Sequence, residues 1–310
     1  MKQRIYKNKS YFILFIGVLS VSTGAIWIRL AMDEAKPLII ALYRLAFSAL
    51  LSIFMAMVVG KKQTKPFGAK SIALIVLSGF FLAMHFASWI SSLELTSVSS
   101  SVVLVSTTPL WVAILSPVLL KEPVNRRFYT GMILAMLGGV IIAMNENCVL
   151  DRTGLACAVV EKKASLTGLA LALTGAWMGA GYMLIGRKLS AQIDTARYTA
   201  SVYAIAAVIL FLVVFFNGDS LTGYSSRTWL LFFAMATIPQ ILGHTVLNYS
   251  LQSLPATTVS LALLGEPVGS TVLAMVFLKE FPTMLQVVGG ILILVGISYA
   301  VLYNRPINAA

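Results

Sequence analysis

Ten stretches of this chain are each roughly twenty residues of nearly unbroken apolar side chains, and nothing else in the sequence limits the fold so strongly. They cover residues 11–30, 38–60, 71–93, 99–120, 128–145, 167–186, 198–216, 228–248, 256–278 and 284–303. About twenty such residues carry a helix across the hydrocarbon core of a bilayer. Inside lipid every backbone donor and acceptor must be satisfied within the protein, so only helices and closed barrels cross. Barrel strands alternate apolar and polar residues, and these stretches do not. The expected fold is an all-α polytopic membrane protein with ten transmembrane helices. The first stretch follows a basic leader, MKQRIYKNKS, of the kind that opens a signal peptide. Its apolar run is long for that, and nine more follow, so it reads as a retained helix. Only 11% of residues are charged and 59% are hydrophobic; a soluble domain carries about 25% charged residues.

The chain also matches itself. At a shift of 158 residues, LELTSVSSSVVLVSTTPLWVAILSPVLLKEP (93–123) lies on LQSLPATTVSLALLGEPVGSTVLAMVFLKEF (251–281) without a gap. Pro109 meets Pro267, and Leu120-Lys121-Glu122 meets Leu278-Lys279-Glu280. Gly131 meets Gly289, Gly138 meets Gly296, and Arg29 meets Arg187. Each half holds five spans. An odd number means that the second half enters the membrane from the opposite side, giving two inverted-topology five-helix repeats. In secondary transporters built this way the substrate site lies near the midplane, where the halves meet at interrupted helices. The expected division is a tail (1–10), a first repeat (11–145), an outer connecting loop (146–166), a second repeat (167–303) and a tail (304–310).

Orientation follows from the basic residues. Of the 23 Lys and Arg, fifteen fall in the segments that are cytoplasmic if the N-terminus is, six fall in the opposite set, and Arg29 and Arg44 lie within spans. Lys and Arg collect on the cytoplasmic side, so both termini are expected in the cytoplasm of a multi-pass protein of the cell (inner) membrane. The +12 formal charge therefore reads as basic inner loops and not as a nucleic-acid surface. Cys148 and Cys157 fall in the outer loop, where a disulfide is chemically permitted; a bridge and two free thiols both fit the spacing.

Three motifs, ALYRLAFSALLS (41–52), TTPLWVAILSPVLLKEP (107–123) and LLGEPVGSTVLAMVFLKE (263–280), together with GAWMGAGYMLIGRKL (175–189), resemble the EamA family of the drug/metabolite transporter superfamily. The similarity covers nearly the whole chain. It implies a ten-helix fold around a central cavity and movement of metabolites or amino acids across the cytoplasmic membrane, usually outward.

Ionisable residues within spans are functional candidates by default. Arg44 lies about 10 Å into span two at 1.5 Å per residue. It either snorkels outward or binds a substrate carboxylate through its planar fork. Arg29 and Asp33 suit a helix-end ion pair. Glu266 lies near the midplane of span nine, with Pro267 removing a backbone donor beside it. Its readings are a proton site, a contact to a cationic substrate group, or a polar tie between helices. The first half carries Thr108-Pro109 at the same place, so Pro109 and Pro267 both interrupt a helix. Gln240, His244 and Asn248 are spaced i, i+4, i+8 and share one helical face. His85 and Trp89 form a similar pair in span three, and the repeat register sets Phe86 opposite His244. Trp27, Trp177 and Tyr182 lie within spans, where they either line the cavity or pack the core. Gly175 and Gly179, and Gly131/Gly138 with Gly289/Gly296, suit close helix approach.

The expected cavity set is Trp27, Arg44, His85, Trp89, Trp177, Tyr182, Gln240, His244, Asn248 and Glu266. The sequence holds no nucleotide-phosphate loop and no metal-ligand cluster, so no cofactor, metal or ATP drive is expected. Two histidines and one buried glutamate form no recognisable catalytic motif, which argues against an intramembrane enzyme. The expected partners are a small-molecule substrate and the lipid bilayer; proton coupling and homo-oligomerisation stay open.

Overall fold

The computed structural model describes residues 2–59, 67–96, 101, 104–144, 148–151, 154–157, 165–273 and 282–303. Among the described residues, helix falls within each of the ten apolar stretches. The helices are α1 (Lys2–Val21), α2 (Gly24–Ala31), α3 (Pro37–Val59), α4 (Ala69–Leu95), α5 (Thr108–Leu119) and α6 (Arg126–Met144) in the first half. In the second half they are α7 (Leu166–Leu189), α8 (Thr195–Phe216), α9 (Ser226–Met235), α10 (Val246–Ser250), α11 (Ala256–Ala262), α12 (Glu266–Leu273) and α13 (Met284–Tyr303). Among the described residues seven helical runs are long and apolar enough to cross a membrane, and 108–119 and 287–302 are shorter apolar helices.

One element lies outside the all-α expectation. Inside the predicted outer loop, β1 (Cys148–Asp151) pairs antiparallel with β2 (Gly154–Cys157). The register sets the backbone of Cys148 opposite that of Cys157; their side chains lie outside the described residues. The Arg29–Asp33 pair does not form, for both side chains are exposed and solvation competes with a surface ion pair.

Four of the long apolar runs are broken, and each break has a local cause. Ser22 and Thr23 separate α1 from α2; their hydroxyls donate to the carbonyls of Val18 and Ser20, which bends a helix. A turn at Ser106–Thr107 precedes α5, where Pro109 sits in the first helical turn and needs no intrahelical donor. A π-helical segment, Ala236–Thr245, joins α9 to α10 and contains Pro239. A 3₁₀ turn, Leu263–Gly265, joins α11 to α12 just before Pro267.

Glycine sets the closest helix contacts. A methyl group at Gly131 would lie 2.5 Å from the Gly296 carbonyl oxygen, and one at Gly138 would lie 2.5 Å from that of Gly289. So α6 and α13 cross backbone to backbone and run antiparallel. α4 and α7 do the same: a methyl at Gly179 would lie 3.0 Å from His85, one at Gly175 3.2 Å from Trp89, and one at Gly168 3.0 Å from Leu95. α1 meets the π segment and α10 in equivalent fashion, with Gly17 against Val246 and Leu247, and Gly243 against Val21. The buried core runs through the middle, with Ile28, Ile39, Leu45, Leu82, Phe86, Tyr203 and Phe232 almost wholly enclosed.

Candidate functional site

A cavity of about 70 Å³ lies where the broken helices converge. Its walls come from α1 (Val21), α3 (Arg44), α4 (His85, Trp89), the start of α5 (Val105, Ser106, Thr108, Pro109), the π segment (His244) and the α11–α12 break (Leu263, Leu264, Glu266). A second lobe of about 40 Å³ shares His85, Thr108, His244 and Leu263 with the first. It extends toward Gly179, Tyr182, Met183, Leu247, Asn248 and Leu251. Thr108-Pro109 and Glu266-Pro267 are repeat equivalents, so both halves bring an interrupted helix to one cavity. At about 30 Å³ per water, the two lobes have room for only a few waters in this conformation.

Arg44 is 1% exposed, which overturns the snorkelling alternative. α3 is gripped along this face, so its side chain has no route to the headgroups. The guanidinium carbon lies 4.2 Å from the centroid of the Phe86 ring, a cation–π contact. Its Nε donates to Gln240 Oε1 at 2.8 Å, while its Nη1 is buried without a partner. Arg44 and Glu266 face the same cavity and interact electrostatically, but no ion pair within 4.0 Å joins them. Glu266 is the first residue of α12, where the helix dipole favours a carboxylate.

The span-eight face is divided by the π geometry. His244 lines both lobes, but Gln240 is fully buried behind Arg44 and lines neither. A π turn takes more residues than an α turn, so an i, i+4 pair no longer superposes. Thr245 Oγ1 reaches back five residues to the Gln240 carbonyl at 3.4 Å and meets Tyr203 OH at 3.1 Å. Asn248 Nδ2 donates to the His244 carbonyl at 2.7 Å and to Tyr182 OH. A carbonyl only accepts, so that bond fixes which end of the amide carries nitrogen.

His85 Nδ1–H donates to the Gly175 carbonyl at 2.8 Å. Its ring lies 6.0 Å from Trp89 and 6.4 Å from His244 between centroids. Phe86 meets His244 edge to face at 5.3 Å. Besides Gln240, two expected wall residues are elsewhere. Trp177 is 44% exposed and packs edge to face on Trp111 at 5.3 Å. Gly175 and Gly179 turn their side of α7 to α4, and a residue two positions on points away. Trp27 is half-buried beside the core and does not line the cavity. Pro267 shapes the break without reaching the cavity surface.

Sequence reasoning missed Phe86, Thr108 and the π segment. Phe86 had a signal, since the repeat register sets it opposite His244, and Pro239 within a long span marked the π segment. Thr108 had the same kind of signal, since the repeat register sets it opposite Glu266, but a threonine in a span is usually bonded to its own helix, as Thr108 is to Val105 at 2.8 Å.

Comparison with known proteins fits this architecture. The sequence pattern of the EamA-like transporter family matches residues 8–144 and again residues 166–302. An uncharacterized transporter of Archaeoglobus fulgidus is 23% identical over 294 residues, spanning 94% of this chain and 96% of that protein. The uncharacterized transporter YdfC of Bacillus subtilis is 21% identical over 285 residues, 91% of this chain and 87% of its own. A solved crystal structure superposes with a TM-score of 0.76 at 17% identity, covering 97% of this chain and 99% of that one. The chain therefore belongs to the EamA-like transporter family and is a membrane transporter.

Proposed function

We propose that the protein is a secondary transporter that exports a small metabolite, an amino acid or a close relative of one, by alternating access around the central cavity. The observation that carries this reading is the cavity itself. It lies at the junction of the two halves, interrupted helices of both contribute to its walls, and it holds a guanidinium and a carboxyl group that are not paired with each other. Polar groups at that depth are retained for function.

In this reading the halves that rock are two inverted five-helix repeats, ten spans in all, divided near 11–145 and 167–303. Contacts repeating at the 158-residue shift support this division. Gly17 against Leu247 corresponds to Gly175 against Trp89, and Val21 against Gly243 corresponds to Gly179 against His85. The equivalents Phe86 and His244 touch each other, as two copies do beside a two-fold axis. α6 and α13 are themselves equivalents and run antiparallel, which fits an axis in the membrane plane. The basic asymmetry favours both termini in the cytoplasm of an inner-membrane protein.

Export of organic cations is the second reading, supported by Trp89 and Glu266 in the wall. Against it, the Phe86 face already holds Arg44, and a buried guanidinium repels a second cation.

The test compares solutes released by cells with and without the protein, followed by flux in proteoliposomes. The expected outcome is faster appearance of one or a few amino acids outside, with saturable flux that shows counterflow. Non-saturable flux would mean a channel, and a chemically altered product an enzyme.

A further inference from the structure

We infer that Arg44 and Glu266 form a split seat for a zwitterion, with Arg44 taking the carboxylate and Glu266 the ammonium group of one substrate molecule. This rests on the transporter reading above and specifies what the cavity selects. Arg44 is a cation almost wholly removed from water. Buried charges are ordinarily paired with an opposite charge, yet its hydrogen-bonded neighbour is the neutral amide of Gln240. Phe86 below the guanidinium and Gln240 at Nε fix its orientation without neutralising it. The arrangement holds the arginine still; the carboxyl group that acts on it electrostatically is Glu266, beyond ion-pair distance, so a counter-charge in direct contact is left to a ligand.

Glu266 has the complementary deficit. It opens α12 and lines the same lobe as Arg44, with no cation within 4.0 Å. His85 cannot serve both sides of the cavity, since its Nδ1 proton is committed to Gly175. A plain carboxylate anion would satisfy Arg44 and be repelled by Glu266. An organic cation would do the reverse. A molecule carrying both charges satisfies both walls and leaves the cavity's net charge unchanged, which lets it leave as readily as it enters. The walls around these two groups mix apolar side chains (Val21, Leu263 and Leu264) with polar ones (Ser106, Thr108 and His244). The rest of the substrate is therefore of modest size. The present volume is smaller than such a molecule, so loading accompanies helix movement.

The experiment uses the full chain in proteoliposomes. Counterflow is screened with the twenty common L-amino acids. The best substrate is then challenged with its 2-hydroxy acid, which lacks the ammonium, and its amide, which lacks the carboxylate. Each analogue is expected to compete about tenfold or more weakly than the amino acid, the range for loss of one close charge pair. In Glu266→Gln the penalty against the hydroxy acid should vanish. Arg44→Ala leaves a hole in the core, so the second variant is Gln240→Glu. It keeps the bond to Nε, supplies Arg44 with a resident carboxylate, and should abolish amino-acid counterflow in folded protein. Equal competition by the hydroxy acid, or normal counterflow in folded Gln240→Glu, overturns the seat. Counterflow of an organic cation such as tetraphenylphosphonium, with none of the twenty, overturns the seat and leaves the transporter reading standing. No counterflow of any solute removes both.

Discussion

Arg44 shows how a single residue is stabilised at a depth where charge is costly. Its support is one hydrogen bond from Nε to Gln240 at 2.8 Å and one aromatic face at 4.2 Å. Hydrogen bonds to charged groups contribute about 1.5–3 kcal/mol. Gln240→Met keeps the volume and removes the acceptor, so the expected loss of stability is about 2 kcal/mol, measured by reversible unfolding in mixed micelles. A loss below about 0.5 kcal/mol, within the range of ordinary surface substitutions, would mean that Arg44 does not depend on this bond. The candidates that could be read from sequence were those whose chemistry conflicts with lipid. Arg44, His85, Gln240, His244, Asn248 and Glu266 stood out for that reason; five of the six line the cavity, and Gln240 lies behind Arg44. Aromatic residues could not be sorted in the same way. Trp89 lines the cavity while Trp177 is exposed, and a ring suits a lipid-facing surface and a cavity wall equally well.

At the scale of the helices, two polar clamps join the halves. Glu34, in the turn after α2, accepts from the Ser225 amide at 3.0 Å, the Ser225 hydroxyl at 2.9 Å and the Thr228 hydroxyl at 2.8 Å. It thereby caps α9 from another part of the chain. Lys36 pairs with Asp219 at 2.6 Å beside it. At the other clamp, Glu122 accepts from Arg187 Nε at 2.6 Å and from the Ala256 amide at 3.2 Å. The repeated Leu-Lys-Glu was legible as a match, but its role was not, because Arg187 lies 65 residues from Glu122. α9 leads directly into the π segment that carries Gln240 and His244, so the first clamp steadies one end of the cavity helix. The Ser225 amide, then the Thr228 and Ser225 hydroxyls, hold the Glu34 carboxyl below the ordinary value of 4.5. A folded pKa below the unfolded one gives stabilisation that is fully present above pH 4.5 and lost as pH falls through the folded value. Hydrogen bonding to Asp219 raises Lys36 above its ordinary 10.5, so that contribution is present below pH 10.5 and lost as pH rises through the folded value. The clamp is thus whole across the neutral range. Glu34→Gln should speed amide exchange at 225–228 several-fold at pH 7, read by hydrogen–deuterium exchange. An unchanged rate would show that α9 is ordered without it.

At the scale of the whole molecule, the duplication was legible because an ungapped shift survives in the sequence long after side chains diverge. Which helices meet was not legible, because apolar faces are interchangeable; small residues such as Gly131, Gly138, Gly289 and Gly296 gave the best clue. The remaining question at this scale is which face of the bundle looks outward, and one helix is enough to decide it. α8 has 22 residues, about 33 Å at 1.5 Å per residue, against a hydrocarbon core of about 30 Å. The turns at its two ends must therefore lie on opposite sides. Ala191 precedes it and Ser220 follows it, and both are exposed. From the fifteen-to-six division of basic residues, Ala191 is expected in the cytoplasm and Ser220 outside. With Cys148 and Cys157 replaced by serine, Ser220→Cys should react with an impermeant maleimide on intact cells, and Ala191→Cys only after permeabilisation. The opposite pattern would invert the assignment while keeping α8 a span, and with it the direction assigned to export. Reaction of both from outside would mean that α8 does not cross, and an odd number of spans in each half, on which the inverted relation depends, would be lost.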